Sequence, residues 1–274
     1  MVINSILNPI AIKIGALQIR WYGIFIATAV LLAVWLSLRE ARRQKLNEDL
    51  LYDLILWSIP LAIISARIYY VVFQWSYYQH HLGEIVAIWD GGIAIYGALL
   101  GGGTFIFCFC RRHQLSIWQI FDIAAPTVIM AQGIGRWGNF MNQEAYGAIT
   151  SRNFLQRLQL PSWLIQQMEI SGFYRQPTFL YESMWDLTGF VLLMVMRHSN
   201  QLFKRGEVFL AYVMWYSFGR FFVEGMRTDS LMWGSLRVSQ GLSVLLFIGA
   251  LALICWRRRQ QPTLNWYWPS KLKE

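Results

Sequence analysis

Charge is scarce in this chain. Asp, Glu, Lys and Arg together make up 14% of its 274 residues, where a soluble domain carries about a quarter. Histidine is scarcer, with four in all, and no cluster with cysteine or carboxylate accompanies them. His80 and His81 are adjacent and point apart on any regular backbone, so a metal centre is not expected. The three cysteines, Cys108, Cys110 and Cys255, lie in or beside apolar runs near basic ends. That placement argues for free thiols and against a disulfide frame. The N-terminus has no basic region followed by a cleavage site, so no removable signal peptide is expected. Tandem repeats and Gly/Ser linkers are missing, which predicts a single domain over 1–274. No nucleotide-binding glycine motif follows a strand, so no cofactor is expected.

What is abundant is apolar and aromatic surface. The chain is 56% hydrophobic, with 14 Trp, and its mean hydropathy is +0.36. This composition predicts an all-α polytopic membrane protein with interfacial aromatic belts. Seven apolar runs are long enough to span, at about 21–38, 50–73, 91–110, 118–140, 179–197, 207–225 and 238–256. The net charge of +9 does not point to nucleic acid, because the basic residues sit between the runs. Clusters follow the first (Arg39, Arg42, Arg43, Lys45), third (Arg111, Arg112), fifth (Arg197, Lys204, Arg205) and seventh (Arg257 to Arg259). By the positive-inside rule those ends are cytoplasmic. The N-terminus is then outside, the C-terminus inside, and 143–177 forms a small external head of short helices or strands. Residues 1–20 read as an arm on the membrane surface. The aromatics of the tail, Trp266, Tyr267 and Trp268, read as resting on the membrane.

Several polar residues interrupt this pattern. The fourth run ends in Gly133-Ile134-Gly135-Arg136-Trp137-Gly138-Asn139-Phe140-Met141-Asn142-Gln143-Glu144-Ala145-Tyr146-Gly147. A helix ending in lipid has no reason to carry Arg136, Asn139, Asn142 and Glu144, each penalised by a few kcal/mol at depth. The glycines weaken the helix by about 1 kcal/mol each but admit a headgroup or another backbone. On the sixth run Tyr216, Arg220, Glu224 and Arg227 recur at steps of four, four and three, which predicts one helix face. Arg67 lies deep in the second run, with two destinations open, an internal partner or the outer interface. Tyr22 opens the first run, either as a belt residue or at the mouth of a site. Arginine's planar fork suits a phosphate, so Arg136 and Arg220 point to a phospholipid headgroup. This much describes a lipid-binding membrane protein and leaves enzyme, transporter and channel open.

The fourth-run motif closely resembles the signature of the bacterial prolipoprotein diacylglyceryl transferase family, Gly-Arg-x-Gly-Asn-Phe-x-Asn-x-Glu-x-x-Gly. It is met at Gly135, Arg136, Gly138, Asn139, Phe140, Asn142, Glu144 and Gly147. Pro177-Thr178-Phe179-Leu180-Tyr181-Glu182, the Tyr216–Arg227 array and the Tyr22-Gly23 pair are also similar to the family. One position departs from it: where the family reads Asp-Gly-Gly-x-x-x-His-Gly, this chain has Asp90-Gly91-Gly92 and then Tyr96-Gly97. The resemblance implies transfer of the diacylglyceryl group of phosphatidylglycerol to a lipobox cysteine thiol of a prolipoprotein, just after its signal helix. A thioether forms and glycerol-1-phosphate leaves, in the inner membrane, with the active site toward the outer face. It implies Arg136 on the lipid phosphate and Arg220 on the leaving phosphate or the thiolate. Asn139 and Glu144 would orient the headgroup or Arg136, and Tyr22, Asn142 and Gly147 would bind the lipid. Tyr216, Glu224, Arg227 and Arg67 would support the site. Tyr96 is expected to orient a substrate by hydrogen bonding, since a phenol with an ordinary pKa near 10 is a poor base.

Overall fold

The computed structural model describes residues 7–15, 17–228, 232–234, 236–261 and 263–268. In chain order the strands β1 (Ile10–Ile14) and β2 (Leu17–Arg20) form an antiparallel hairpin that leads into α1 (Trp21–Arg43). Then come α2 (Glu48–Phe73), a single turn α3 (Trp75–Tyr78), α4 (Ile95–Arg112) and α5 (Ile117–Asn142). The short helices α6 (Arg152–Arg157) and α7 (Ser162–Gln167) and the hairpin β3 (Glu169–Ile170) and β4 (Phe173–Tyr174) follow. Last are α8 (Thr178–Met196), α9 (Glu207–Met226), the small hairpin β5 (Met232–Trp233) and β6 (Leu236–Arg237), and α10 (Val238–Gln260).

Seven described helices therefore reach 18 residues, at the places where the sequence has its apolar runs. Five of them, α1, α2, α5, α8 and α10, are long and apolar enough to cross a membrane. α4 has only 18 residues and ends in Arg111 and Arg112, and α9 carries Glu207, Arg220 and Glu224. Large apolar side chains such as Leu31, Trp35, Ile64, Leu245 and Ile248 stand exposed along the helices. In water that surface would be a liability; in lipid it is solvated. The chain is a mostly helical, multi-pass membrane protein.

The chain divides into two compact units, Met1–Leu36 with Phe121–Glu274, and Ser37–Ile120. In the second unit α2 begins with Asn47, whose side chain accepts from the Asp49 N–H, and Glu48 and Asp49 occupy its first turn, favourable places for a cap and for negative charge. α4 lies against α2 through glycine. A Cβ at Gly97 would stand 2.5 Å from the Ser65 carbonyl oxygen, so only a missing side chain allows this approach. The sequence predicts a third span from about 91, but α4 starts at Ile95, because Gly91 and Gly92 take φ of +89° and +71° and no helix continues through them.

In the first unit α8 and α9 are joined by exchanged indoles. Trp185 donates to the Trp215 carbonyl and Trp215 donates back to that of Trp185, at 3.0 and 3.1 Å, with the rings stacked at 4.2 Å. Gly189 and Gly219 leave the space these rings fill. Between α5 and α8 the chain forms the short elements α6, α7, β3 and β4, and their core of Leu155, Leu164, Ile165 and Met168 packs on Phe140 of α5 and Phe179 of α8. The sequence reading of the tail needs correction. Tyr267 is only 4% exposed and packs with Ile129, Leu193 and Val208. Its N–H donates to the Phe203 carbonyl, Arg205 N–H donates to Asn265, and Lys204 lies over the Trp266 ring. The tail folds back on the α8–α9 turn because its backbone finds partners there and its aromatic rings fill the end of the bundle.

Candidate active site

The site is built where α5, α8 and α9 meet. Each helix supplies charge at a point where its neighbours are apolar. Glu182, one turn into α8, is 6% exposed. Its Oε2 lies 2.9 Å from Nε of Arg136 on α5, and its Oε1 accepts from Nη1 of Arg220 on α9 at 2.6 Å. Arg220 also pairs through Nη2 with Glu224, one turn along α9. Two guanidinium groups from two helices thus share one carboxylate. Removing one partner of such a buried pair is strongly destabilising, because an uncompensated charge remains. The Arg136 and Arg220 side chains keep 19% and 17% exposure, so both retain an open edge. Asp186, one turn further along α8, is 3% exposed, and its Oδ2 has no hydrogen-bond partner among the described residues. It lies in the electrostatic field of Arg136, Glu182 and Arg220. A desolvated oxygen of this kind accepts strongly from any donor brought to it.

The glycines of this stretch have separate jobs. A Cβ at Gly138 would stand 2.6 Å from the Tyr22 ring, so this glycine seats Tyr22 of α1 on α5. A Cβ at Gly133 would lie 3.2 Å from Cβ of Asp186, so this one lets α8 approach. Gly147 donates to the Gln176 carbonyl at 3.0 Å and pairs with Arg227, and a Cβ there would stand 2.9 Å from Gln176. It joins the chain after the signature to the ends of α8 and α9. Thr178 reinforces the joint by donating to the Ala145 carbonyl at 2.6 Å.

Other expected residues fall elsewhere. Asn142 donates to Glu144 at 3.2 Å, and the Glu144 N–H donates to the Asn139 carbonyl at 2.9 Å. These three form a turn of their own, beside a small pocket lined by Asn139, Gln143, Glu144 and Tyr146. Tyr216 stacks on Tyr212 one turn before Arg220. Arg227 leaves the predicted helix face: α9 ends at Met226, and Arg227 is extended, with φ −75° and ψ 149°. It lines an open cavity of about 500 Å³ with Ala148, Gln176, Met226, Met232 and Arg237. Arg67 and Tyr96 belong to the other compact unit. There Tyr96 is the second residue of α4 and about half exposed.

Comparison with known proteins decides the family. The family model for prolipoprotein diacylglyceryl transferase matches residues 9–256. The chain belongs to the prolipoprotein diacylglyceryl transferase family. It is 63% identical to a Pediococcus pentosaceus protein over 253 residues, covering 92% of this chain and 91% of the relative. It is 62% identical to one from Ligilactobacillus salivarius over 263 residues, 96% and 98% of the two chains. A Listeria monocytogenes relative is 56% identical over 252 residues, 92% and 90% of the two. Each is named phosphatidylglycerol–prolipoprotein diacylglyceryl transferase. Within this diacylglyceryl transferase chain, Glu182 enters the sequence reading only as the end of a motif, with no role, and Asp186 is not singled out there. The signal was available: Thr178, Glu182 and Asp186 recur every four residues in an apolar run, and two acids on one face in lipid demand partners.

Proposed function

We propose that this transferase family member carries out the reaction its relatives are named for. It moves the diacylglyceryl group of phosphatidylglycerol to the cysteine thiol of a prolipoprotein lipobox, the first step of lipoprotein maturation. The sulfur attacks the glycerol carbon that bears the phosphate, the carbon–oxygen bond breaks, and glycerol-1-phosphate leaves. The thiol proton ends on that phosphate. The nucleophile belongs to the substrate, so the reaction has no use for Cys108, Cys110 or Cys255.

The single observation that carries the reading is the pair Arg136 and Arg220 on one carboxylate. In this reading the lipid phosphate takes over the guanidinium forks from Glu182, and Arg220 meets the charge that grows on the leaving phosphate. Donors aimed at developing charge in a dry site contribute more than in water. Holding two membrane-bound substrates together removes much of the entropic barrier. Arg220 near the sulfur also favours the thiolate, since a neighbouring cation lowers a thiol pKa. In this reading Asn139 and Glu144 orient the headgroup or Arg136, Asn142 binds the lipid, and Tyr22, seated on Gly138, binds it at the mouth of the site. Gly147 holds the joint behind it, and Tyr216, Glu224 and Arg227 support α9. Tyr96 orients a substrate.

The membrane arrangement belongs to the same proposal. All seven long helices span the bacterial inner membrane as one domain, N-terminus outside and C-terminus inside, with the head and the arginine site toward the outer face. The lysine and arginine clusters support this. The test incubates the purified protein with phosphatidylglycerol and a lipobox peptide and weighs the peptide. A gain of one diacylglyceryl group on the cysteine peptide, and none on its serine counterpart, is expected. An unchanged cysteine peptide refutes the reading.

A further inference from the structure

We propose that Arg67 is a positioning residue for the transfer reaction, acting through the Gly91–Gly92 backbone on Tyr96. The inference rests on the transferase reading and on the place of Tyr96 in it. Its own basis lies wholly within the second compact unit.

Arg67 is 7% exposed in the C-terminal half of α2. Its guanidinium donates to four backbone carbonyls: Nε to Ile85 at 2.8 Å, Nη2 to Glu84 at 2.6 Å, and Nη1 to Gly91 at 2.8 Å and Gly92 at 2.7 Å. The rings of Tyr70 and Tyr78 flank it, 5.9 and 5.2 Å from Cζ. A buried cation is thus held by carbonyl dipoles and two aromatic faces. The segment from Glu84 to Gly92 is coiled around it.

This explains the glycine pair. Two successive carbonyls converge on one nitrogen, with positive φ at both Gly91 and Gly92, a conformation that strains other residues. At Gly92 space forbids a side chain as well. A Cβ there would stand 2.5 Å from Nη1 of Arg67 and 2.8 Å from the Tyr70 ring. Immediately afterwards the chain is fixed from the other side. Ala94 donates to the Ala66 carbonyl at 3.1 Å, next to Arg67, and Gly97 rests on the α2 backbone. Tyr96 stands between these two anchors. Its backbone position therefore depends on a guanidinium whose bonding capacity is spent almost entirely on the loop that delivers it.

The test is a double-mutant cycle in the intact enzyme. Lysine keeps the charge at position 67 but offers donors from one nitrogen, which cannot serve four carbonyls. Arg67→Lys is expected to lower kcat about tenfold while leaving KM for phosphatidylglycerol within about threefold, and Gly92→Ala to do the same. In the Arg67→Lys/Tyr96→Phe protein the loss should be no greater than about that of the worse single variant, because both act on one group. Where Arg67→Lys does not fold, judged by its melting temperature in detergent, Gly92→Ala takes its place in the cycle. Losses that multiply, a Tyr96→Phe enzyme without defect, or Arg67→Lys and Gly92→Ala at wild-type rate would each overturn the proposal. Failure of the transferase reading looks different, since the wild-type protein would then leave the peptide unmodified.

Discussion

Arg220 and Arg67 are both arginines inside helices of a membrane protein, yet they are satisfied in opposite ways. Arg220, with Arg136, faces carboxylates: Glu182 lies between them and Glu224 one turn on. Arg67 faces four carbonyl oxygens of its own loop. The difference separates two kinds of work. A carboxylate can be exchanged for a phosphate, because both are anions matched to the same fork. A carbonyl cage cannot be exchanged without unwinding the loop that forms it. In the proposed reading the arginines bound to acids take the ligand, and the one bound to backbone holds structure.

The largest expected effect breaks the first half of this contrast. Arg136→Lys keeps the charge and loses the fork, and kcat/KM for phosphatidylglycerol should fall at least about a hundredfold, near 3 kcal/mol. Turnover within a few-fold of wild type would remove Arg136 from the site. Tyr96→Phe comes next. Loss of one orienting hydrogen bond of about 1–2 kcal/mol predicts a 5- to 30-fold lower rate, and Tyr96→His should be tolerated. A loss above about a thousandfold in folded Tyr96→Phe protein would make the phenol the base. The smallest effect on chemistry belongs to the opposite end of α8 and α9. Tyr267→Ala removes a buried ring and should cost about 3–5 kcal/mol of stability. The rate below the melting temperature should stay close to wild type. An unchanged thermal midpoint would contradict the docked tail.

Much of this was legible in the sequence. The seven long helices lie within a few residues of the apolar runs, because span length and hydropathy are set by composition. The clearest boundary error, at 91–94, came from reading the glycines as a thin helix, where they serve a turn around Arg67. The tail was misread for a related reason: aromatic residues suit both an interface and a core, and only the backbone pairing of Asn265 and Tyr267 decides between them. Of the groups that meet around Glu182, the sequence marks Arg136 by its charge at the end of an apolar run, and Arg220 and Glu224 by their four-residue spacing. The spacing of Glu182 and Asp186 marks two acids on one face of α8, but the partners of Glu182, Arg136 on α5 and Arg220 on α9, lie far away in sequence, and no local pattern names them. Arg227 was placed on a helix face because nothing local in Glu224-Gly225-Met226-Arg227 marks where α9 stops.

The exchange of carboxylate for phosphate can be tested most directly with Glu182→Gln. Affinity for phosphatidylglycerol in detergent, without peptide, should be measured beside turnover with peptide. If Glu182 occupies the arginine forks that the phosphate needs, glutamine competes less. Lipid should then bind more tightly, by about three- to tenfold, while turnover falls because Arg136 and Arg220 are no longer held in register. Weaker lipid binding with turnover lost in proportion would contradict this, and would make Glu182 a brace for the helices and not the placeholder for a phosphate.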